Sequence, residues 1–513
     1  MDYYFSAFFF KVKMIKQIFI IIIVLSLFSQ VFAKEVMVWV APGEKIVLWP
    51  DCVKDFRHIP GSDIYRLNMN GSGDDCIKEL NKLEKVIFIE EDQQILISDS
   101  LSFSAQEPGD ICDTSIKDAF VLNSLGKGDK ILAAVIDTGI SLSDYASSLK
   151  KNLNEIPGDG IDNDLNGYID DYDGWDFGDM DSDPEDILGH GTQVSSILLN
   201  VAPDLMLLPI KVNQSMDSTF STANAAEAIF YAVSAGVDII NLSFSTKYDS
   251  FAINTAVKYA LDSGIIVVAA AGNSGGDVEF PANMDGVIAV GSFDMSGNPS
   301  WFSPIGDSLD ILGPGENVCA KGIDGKASQV SGTSFSTPYI AGAAAVLLSM
   351  NKYLKPDTIK KILYKGSTDI LDPGWDIYSG SGVINTQALT DVATPSIIIP
   401  GLVLKGSNLS VEYYLPQTDI ITNVFIALIY DNITWWLDSD GKWYRADQVP
   451  YSNVIGKTLT EFETNVLFGS NGLFDVINTG SNDPGKYLLA IGIFDKKGDM
   501  LAPLGWTEVN IYL

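Results

Sequence analysis

Three residues of the chain have the types and surroundings that catalysed acyl transfer requires. Asp137 ends an apolar run in Asp-Thr-Gly, His190 lies in Gly-His-Gly-Thr, and Ser334 lies in Gly-Thr-Ser-Phe-Ser-Thr-Pro. A serine hydroxyl is a poor nucleophile near neutral pH unless a base lies within hydrogen-bond reach. An imidazole can be that base, and a carboxylate can fix its tautomer. The three residues therefore predict attack by Ser334, with His190 as the base and Asp137 as its partner.

Each of these residues falls at the end of an element. Residues 131–136 form an apolar run typical of a buried strand, and apolar residues recur at helical spacing after His190 and after Ser334. The unpaired N–H groups and the positive dipole end of a helix start favour negative charge. Pro338 is expected in the first turn of the second helix, where its missing N–H costs little. Taken alone, this stretch fits an ordinary capped core helix as well as a nucleophile.

The three motifs, in the order Asp137, His190, Ser334, resemble those of the subtilisin-like serine peptidases, the subtilases. The same residue types occur in other orders in chymotrypsin and in the α/β-hydrolases. The resemblance covers about residues 106–390. It implies a secreted serine endopeptidase that hydrolyses protein or peptide substrates through an acyl-enzyme on Ser334, without an organic cofactor.

The resemblance also assigns an oxyanion donor and a substrate groove. Asn273 follows the apolar run 265–271 in a glycine-rich turn and matches the family's oxyanion-hole asparagine, with the N–H of Ser334 as the second donor. A segment after another apolar run resembles the strand that pairs with extended substrate. A glycine is more usual at position 245, which predicts a narrower pocket. The residues expected to line the groove are Ser243, Phe244, Ser245, Ala271 and Gly272.

Apolar runs alternate with amphipathic helical patterns through the middle of the chain. Fully apolar strands separated by such helices predict a parallel sheet covered on both faces. Ligand sites in these sheets lie at the carboxyl ends of the strands, where Asp137 falls. The predicted fold is α/β, a subtilisin-like parallel sheet with helices on both faces, preceded by a small α+β propeptide and followed by a β-sandwich.

The ends of the chain differ in composition from the middle. Residues 1–33 carry lysines before an apolar run and small residues at its exit, which predicts a signal peptide; a signal anchor is the alternative. Residues 34–105 resemble the inhibitory propeptide of subtilases, with an independent β module as the alternative and self-cleavage expected within 98–110. The peptidase domain is predicted over 106–392. Short β-rich runs over 393–513 predict the β-sandwich.

Charge and cysteine content bear on compartment and partners. The formal net charge of −33 argues against nucleic acid and anionic membrane surfaces as partners, and it also favours solubility. The mature protein is expected off the membrane, and the predicted signal peptide indicates that it is secreted or lies at the cell surface or in the periplasm. Export permits disulfides. We hypothesise the pairs Cys52–Cys76 and Cys112–Cys319. Cys52 and Cys76 lie in the predicted propeptide region, and a disulfide from there to Cys112 or Cys319 would conflict with removal of that region by processing.

An acidic insertion between Asp137 and His190 predicts a metal site. Residues 152–187 contain thirteen acidic residues and no Lys or Arg, and residues 162–173 reproduce an EF-hand loop with Asp at its twelfth position. Repulsion among so many carboxylates favours a bound cation, and similar insertions occur in subtilases, so a structural Ca²⁺ is expected. A solvated acidic turn is the alternative. The predicted ligands are Asp162, Asp164, Asn166, Tyr168, Asp170 and Asp173.

The chain has only two histidines, and His58 would leave with the propeptide, so His190 is the one imidazole available to a mature enzyme.

Two further interpretations of the function stay open. One rival reading is a binding or adhesion protein whose peptidase domain is incidental. Another is a maturation protease dedicated to a single partner.

Overall fold

The computed structural model describes residues 35–70, 73–96, 126–214, 216–350, 354–386 and 388–389, and the backbone of further strands beyond residue 395. The predicted signal peptide, the predicted self-cleavage stretch and Cys112 lie outside the described residues. Cys319 is disulfide-bonded, but its proposed pairing with Cys112 stays a prediction. Within the described residues, none of the helices combines the length and apolar character needed to cross a membrane.

Residues 35–96, the N-terminal unit, form a small antiparallel sheet in the order β2-β3-β1-β4 with one helix packed on it. Cys52 and Cys76 are joined in a disulfide, which confirms that prediction. The last strand, β5, leaves this sheet to pair with a strand of the central unit. The elements are β1 (Glu35–Val40), β2 (Val53–His58), β3 (Ile64–Met69), α1 (Asp74–Leu80), β4 (Val86–Glu91) and β5 (Gln94–Leu96).

The central unit, residues 126–389, alternates strands and helices. Its strands are β6 (Leu132–Asp137), β7 (Trp175–Asp176), β8 (Met206–Lys211), β9 (Thr219–Ser221), β10 (Ile239–Leu242), β11 (Ile266–Ala270), β12 (Ile288–Phe293), β13 (Ile311–Pro314), β14 (Val318–Lys321), β15 (Ala327–Val330), β16 (Ser367–Thr368) and β17 (Val383–Ile384). Its helices are α2 (His190–Val201), α3 (Thr222–Ser234), α4 (Phe251–Asp262), α5 (Thr333–Met350) and α6 (Pro356–Lys365).

Nine of these strands form one sheet in the order β16-β17-β13-β12-β11-β10-β6-β8-β7. Every neighbouring pair is parallel except β16 with β17 at one edge. The α/β fold with a mostly parallel sheet is thereby confirmed, and the sheet is mixed because of that edge strand. Two small antiparallel ladders, β14 with β15 and β5 with β9, lie outside it.

Helices cover both faces of the sheet, as the apolar strands predict. Successive side chains of a strand point to opposite faces. On β6, Ala134 and Ile136 join a core formed with α3 and α4, whereas Ala133 and Val135 join a core formed with α2, α5 and α6. Because both faces are buried, the polar groups of the sheet become accessible only at strand ends, and β6 ends at Asp137.

Helix α5 is buried along its first sixteen residues, as expected for a helix without a polar face. The expectation for Pro338 was wrong: the helix begins at Thr333, so the proline lies in the second turn. A proline there cannot donate to the carbonyl four residues earlier, which belongs to Ser334. The hydroxyl of Ser243 donates to that carbonyl instead, at 2.8 Å. The segment after β10 is thereby tied to the start of α5.

Beyond residue 395 the described residues are all in strands, in a three-stranded sheet (β18-β20-β24) and a six-stranded sheet (β19-β26-β25-β21-β22-β23). Strand content agrees with the sequence patterns, and the β-sandwich stays a prediction. The strands are β18 (Ser396–Ile398), β19 (Val403–Leu404), β20 (Asn408–Tyr414), β21 (Asn423–Tyr430), β22 (Ile433–Leu437), β23 (Trp443–Arg445), β24 (Asn471–Asn478), β25 (Gly485–Phe494) and β26 (Gly505–Tyr512).

Candidate active site

The fold brings the acid and the base together at the carboxyl edge of the sheet. Asp137 is the last residue of β6 and His190 is the first residue of α2. His190 Nδ1 lies 2.7 Å from Asp137 Oδ1, and the backbone N–H of Thr138 donates to the same oxygen, also at 2.7 Å. Both side chains are buried. With Nδ1 turned to the carboxylate, Nε2 is left as the nitrogen that can take a proton from a nucleophile.

This approach depends on glycines in both motifs. A Cβ added to Gly191 would lie 2.1 Å from the carbonyl oxygen of Gly139 and 3.1 Å from the Cβ of Asp137. No side chain fits in that space, so the start of α2 can rest against the strand end only with glycine at position 191. The glycine after His190 is therefore explained by the same contact that aligns His190 with Asp137.

Asp186, which the sequence analysis did not single out, holds the start of α2 in place. One carboxylate oxygen accepts hydrogen bonds from the N–H of Gly189 at 2.8 Å and from the hydroxyl of Thr138 at 2.9 Å. The other accepts from the N–H and the hydroxyl of Thr192, at 2.9 and 2.6 Å. A buried acid four residues before His190 thus links the loop, the helix start and the Asp137 motif.

Charge around His190 favours its protonated form. Burial lowers the pKa of His190, but the negative charge of Asp137, its hydrogen bond and the charge of Asp186 together outweigh burial and raise the pKa above 6.5. Burial also raises the pKa of Asp186, against the hydrogen bonds from Thr192 and Gly189. The charges of Asp137 and Asp186 therefore both favour the protonated form of His190.

Ser334 is the second residue of α5 and is 1% exposed. The ring of the next residue, Phe335, lies 5.4 Å from the ring of His190, so the start of α5 faces the start of α2. The carbonyl of Ser334 is bound by Ser243, whose hydroxyl in turn accepts from the side chain of Asn241 at 2.9 Å. Two neighbouring strand ends and two helix starts thus converge here.

The side chain of Asn273 is oriented by the residue before Ser334. The backbone N–H of Thr333 donates to Asn273 Oδ1 at 2.9 Å, and the Thr333 hydroxyl lies 3.1 Å from the same atom. Because a backbone N–H can only donate, the amide must turn its oxygen to Thr333 and its nitrogen away. Asn273 Nδ2 is buried and has no hydrogen-bond partner within the described residues. The chain thus holds a buried amide donor ready for an acceptor beside Ser334.

The residues expected to line a groove lie in two segments that follow the neighbouring strands β10 and β11. Ser243 to Ser245 follow β10, and Ala271 and Gly272 follow β11 directly before Asn273. The side chain of Phe244 is 1% exposed and packs against Phe220, so it belongs to the core. Only the backbone of Phe244 is left to serve a substrate.

In the acidic insertion the described carboxylates that approach one another are those of Glu155, Asp164 and Asp171, whose ligand atoms all lie within 4.8 Å of each other. Asp164 alone among the predicted ligands belongs to this cluster. Asn152 Nδ2 donates to Asp164 at 3.0 Å and to Asp171 at 2.7 Å. Burial raises the pKa of Asp171, against hydrogen bonds from Tyr231, Asn166 and Asn152.

The other predicted ligands have other contacts. Asp162 accepts from the N–H groups of Asn166 and Gly167, Asp170 accepts from three successive N–H groups of residues 158–160, and Asp173 pairs with Lys151. Asn166 Nδ2 donates to Asp171 at 2.9 Å, and the Tyr168 hydroxyl lies 3.4 Å from Glu227. Sequence spacing alone did not indicate Glu155 or Asp171, because the EF-hand pattern presumes flanking helices that this loop lacks.

A family model and two curated relatives point to one family. The model of the Subtilase family matches residues 128–382, which include Asp137, His190, Asn273 and Ser334. Subtilisin DY of Bacillus licheniformis is 32% identical over 277 residues, 51% of this chain and 91% of that protein. Subtilisin NAT of Bacillus subtilis subsp. natto is 31% identical over 330 residues, 61% of this chain and 77% of that protein. A crystal structure of a lanthipeptide protease matches with a TM-score of 0.46 and 24% identity, over 54% of this chain and 95% of that chain.

Replacing Asp186 tests its charge effect on His190. Asp186→Asn removes a negative charge that raises the pKa of His190, so we expect that pKa to fall. The ring protons of His190 can be titrated by NMR in the full chain, because the chain has only two histidines. Asp183→Asn is the matched control, since Asp183 is exposed and three residues away. An unchanged or raised His190 pKa in Asp186→Asn would contradict the proposed charge effect.

Proposed function

Since this chain belongs to the subtilase family of serine peptidases, and is thus a serine-type endopeptidase, we propose that it is an exported enzyme that cleaves peptide bonds through an acyl-enzyme on Ser334. The observation that carries the mechanism is the 2.7 Å contact between His190 Nδ1 and Asp137. It leaves Nε2 to accept the proton from the Ser334 hydroxyl as that hydroxyl attacks the substrate carbonyl.

Charge then develops on the substrate oxygen. Asn273 Nδ2 and the N–H of Ser334 at the start of α5 donate to this oxyanion. Collapse of the tetrahedral intermediate breaks the peptide bond, and the imidazolium of His190 gives its proton to the leaving amine. Water then repeats the sequence on the acyl-enzyme and releases the carboxylate product. The orientation of the Asn273 amide by Thr333 supports its role as donor.

The N-terminal unit is proposed to be an inhibitory propeptide, because it caps two helix starts of the central unit. Glu90 accepts from the N–H groups of Phe251 and Ala252 at 3.1 and 2.8 Å, at the start of α4. Asp92 accepts from the hydroxyl of Thr222 and the N–H of Ala223, both at 2.9 Å, at the start of α3. Carboxylates are favoured at helix N-termini by unpaired N–H groups and the dipole.

Two more contacts bind the N-terminal unit to the central unit. Strand β5 pairs antiparallel with β9, and Arg57 and Arg66 approach the buried carboxylate of Glu227. These contacts favour an intramolecular partner over an independent β module. Export is proposed from the signal-like residues 1–33 and from the subtilisins that the chain resembles, and a dedicated maturation role remains the alternative to broad digestion.

A structural Ca²⁺ is proposed for the acidic insertion, since subtilases commonly bind calcium. The donor set fits, because carboxylate oxygens are preferred ligands of this hard cation. Glu155, Asp164 and Asp171 bring three carboxylates together, and the side-chain nitrogens of Asn152 and Asn166 donate to Asp171 beside them. The ion would offset carboxylate repulsion and stabilise a loop that ends at Asp186.

Expression of the full chain beside Ser334→Ala tests the nucleophile and the propeptide together. We expect the parent to trim itself within residues 98–110 and to react with a fluorophosphonate, because both steps need the Ser334 hydroxyl. The variant should do neither. Intact mass and labelling provide the readouts. A parent that stays full length and unlabelled, while folded by circular dichroism, would overturn the proposed mechanism.

The oxyanion donor is tested by Asn273→Ala. The loss expected in kcat is about 10²–10³-fold, a figure known for an oxyanion-hole asparagine in subtilisin and not obtained from this structure. Asn254→Ala, at an exposed position on α4, is the matched control. Active-site titration separates lost turnover from lost folding. A kcat equal to that of the control would remove Asn273 from the mechanism.

Calcium binding is tested by thermal unfolding. We expect EDTA to lower the melting temperature of the parent and Ca²⁺ to restore it, because an ion that binds only the folded loop stabilises it. Asp171→Asn should lose most of this response, whereas the exposed Asp183→Asn should keep it. If the melting temperature of the parent changes with neither EDTA nor added Ca²⁺, the proposed calcium site is absent.

A further inference from the structure

The carboxylate of Glu279 lies between the two segments expected to border the substrate groove. The Ser245 hydroxyl donates to Glu279 Oε2 at 2.7 Å. A Cβ added to Gly272 would lie only 2.7 Å from the same oxygen, so the carboxylate fills the space beside a glycine whose φ is +108°. Gly272 directly precedes Asn273, the proposed oxyanion donor. The acid therefore sits next to the proposed reaction centre.

Backbone contacts fix this position. The N–H of Glu279 donates to the carbonyl of Ala271 at 2.9 Å. The next residue, Phe280, exchanges two hydrogen bonds with Thr246, at 2.7 and 3.0 Å. Glu279 thus joins the segment after β11 to the segment after β10, and its side chain emerges at a defined place between them. A group held in this way is suited to selecting a ligand, because little ordering is needed on binding.

Glu279 has no cationic partner in the part of the chain that the structure describes. Its one hydrogen bond from a side chain comes from a neutral hydroxyl, although the residue is half-buried. A partly desolvated carboxylate is costly unless a positive charge or several donors compensate it. The chain as a whole carries a formal net charge of −33, which attracts cationic substrates. The unpaired carboxylate of Glu279 and the negative net charge of the chain both favour binding of a positively charged group that belongs to a substrate.

The placement of Ser245 relative to Ser334 points to the substrate residue immediately before the scissile bond. Ser243 binds the carbonyl of Ser334, and Ser245 follows two residues later, about 7 Å along an extended chain. The side chain of the residue whose carbonyl is attacked starts one bond from that carbonyl. From there a long side chain extends further toward Ser245 and Glu279 than a short one.

We propose that Glu279 selects substrates with Lys or Arg immediately before the scissile bond, an inference that rests on the proposed peptidase mechanism. The substrate ammonium or guanidinium group pairs with the Glu279 carboxylate while its aliphatic stem lies between the segments at 243–245 and 271–272. Ser245, with a hydroxyl where a glycine is more usual, orients the carboxylate. The substrates are therefore cationic peptides or proteins with accessible basic residues.

The stretch proposed for self-cleavage, residues 98–110, contains no Lys or Arg. Cleavage within one chain proceeds at a high effective concentration and does not need a favourable residue before the bond. The selection by Glu279 therefore concerns substrates that arrive from solution.

The test uses peptide nitroanilides that differ only in the residue before the scissile bond: Arg, Lys, Leu, Phe or Glu. Fluorophosphonate labelling counts active enzyme in each preparation. We expect the parent to have its highest kcat/KM on Arg and Lys. Glu279→Gln should lower those two values by about 10- to 100-fold, the usual worth of a charged hydrogen bond, and leave Leu and Phe unchanged. Asp277→Asn, exposed on the same loop, should keep the parent profile.

The possible results of this test separate the proposed selection by Glu279 from the proposed peptidase function. A labelled parent that prefers Leu or Phe overturns this inference alone, and its profile suffices even if Glu279→Gln fails to fold. A Glu279→Gln variant that lowers all five values equally also overturns it. A folded parent that is never labelled overturns the proposed function and this inference with it. Loss confined to Arg and Lys supports both.

Discussion

The buried hydrogen bond between Asp137 and His190 is the contact on which the rest of the site depends. It requires the start of α2 to lie against the end of β6, and Gly191 is needed because the carbonyl of Gly139 occupies the space of a side chain. Asp186 binds the same helix start through Thr192 and Gly189. The pKa of His190 follows from this arrangement, since the charges that position the ring also stabilise its protonated form.

A missing hydrogen bond in α5 links Ser334, the proposed nucleophile, to the segment proposed to bind substrate. Pro338 deprives the carbonyl of Ser334 of its helical donor, and Ser243 supplies a hydroxyl in its place. The segment that would bind substrate is therefore in register with the residue that would attack it. On the other side, Thr333 orients Asn273. Ser243 and Thr333 therefore align the segment after β10, the segment after β11 and the start of α5 with one another.

Much of the candidate site follows from the sequence because its residues lie in short motifs near the ends of elements. Asp137, His190, Asn273 and Ser334 could be named from motif and order, and the mostly parallel sheet from the apolar runs. Asp186 could not, since an acid in an acidic insertion carries no local signal of burial. The metal-site pattern failed to indicate Glu155 and Asp171 for a related reason: spacing along the chain predicts a ligand set only where the loop conformation is known.

By itself the sequence determined the fold class, the family and the chemical types at the site, because periodicity and short motifs express local backbone and solvation preferences. Tertiary structure alone decided which of thirteen acidic residues in the insertion approach one another, how the amide of Asn273 is turned, and that Glu279 faces Ser245. These contacts join residues far apart in the chain or in different loops. Their geometry depends on how the whole sheet and its helices pack, and no local pattern encodes it.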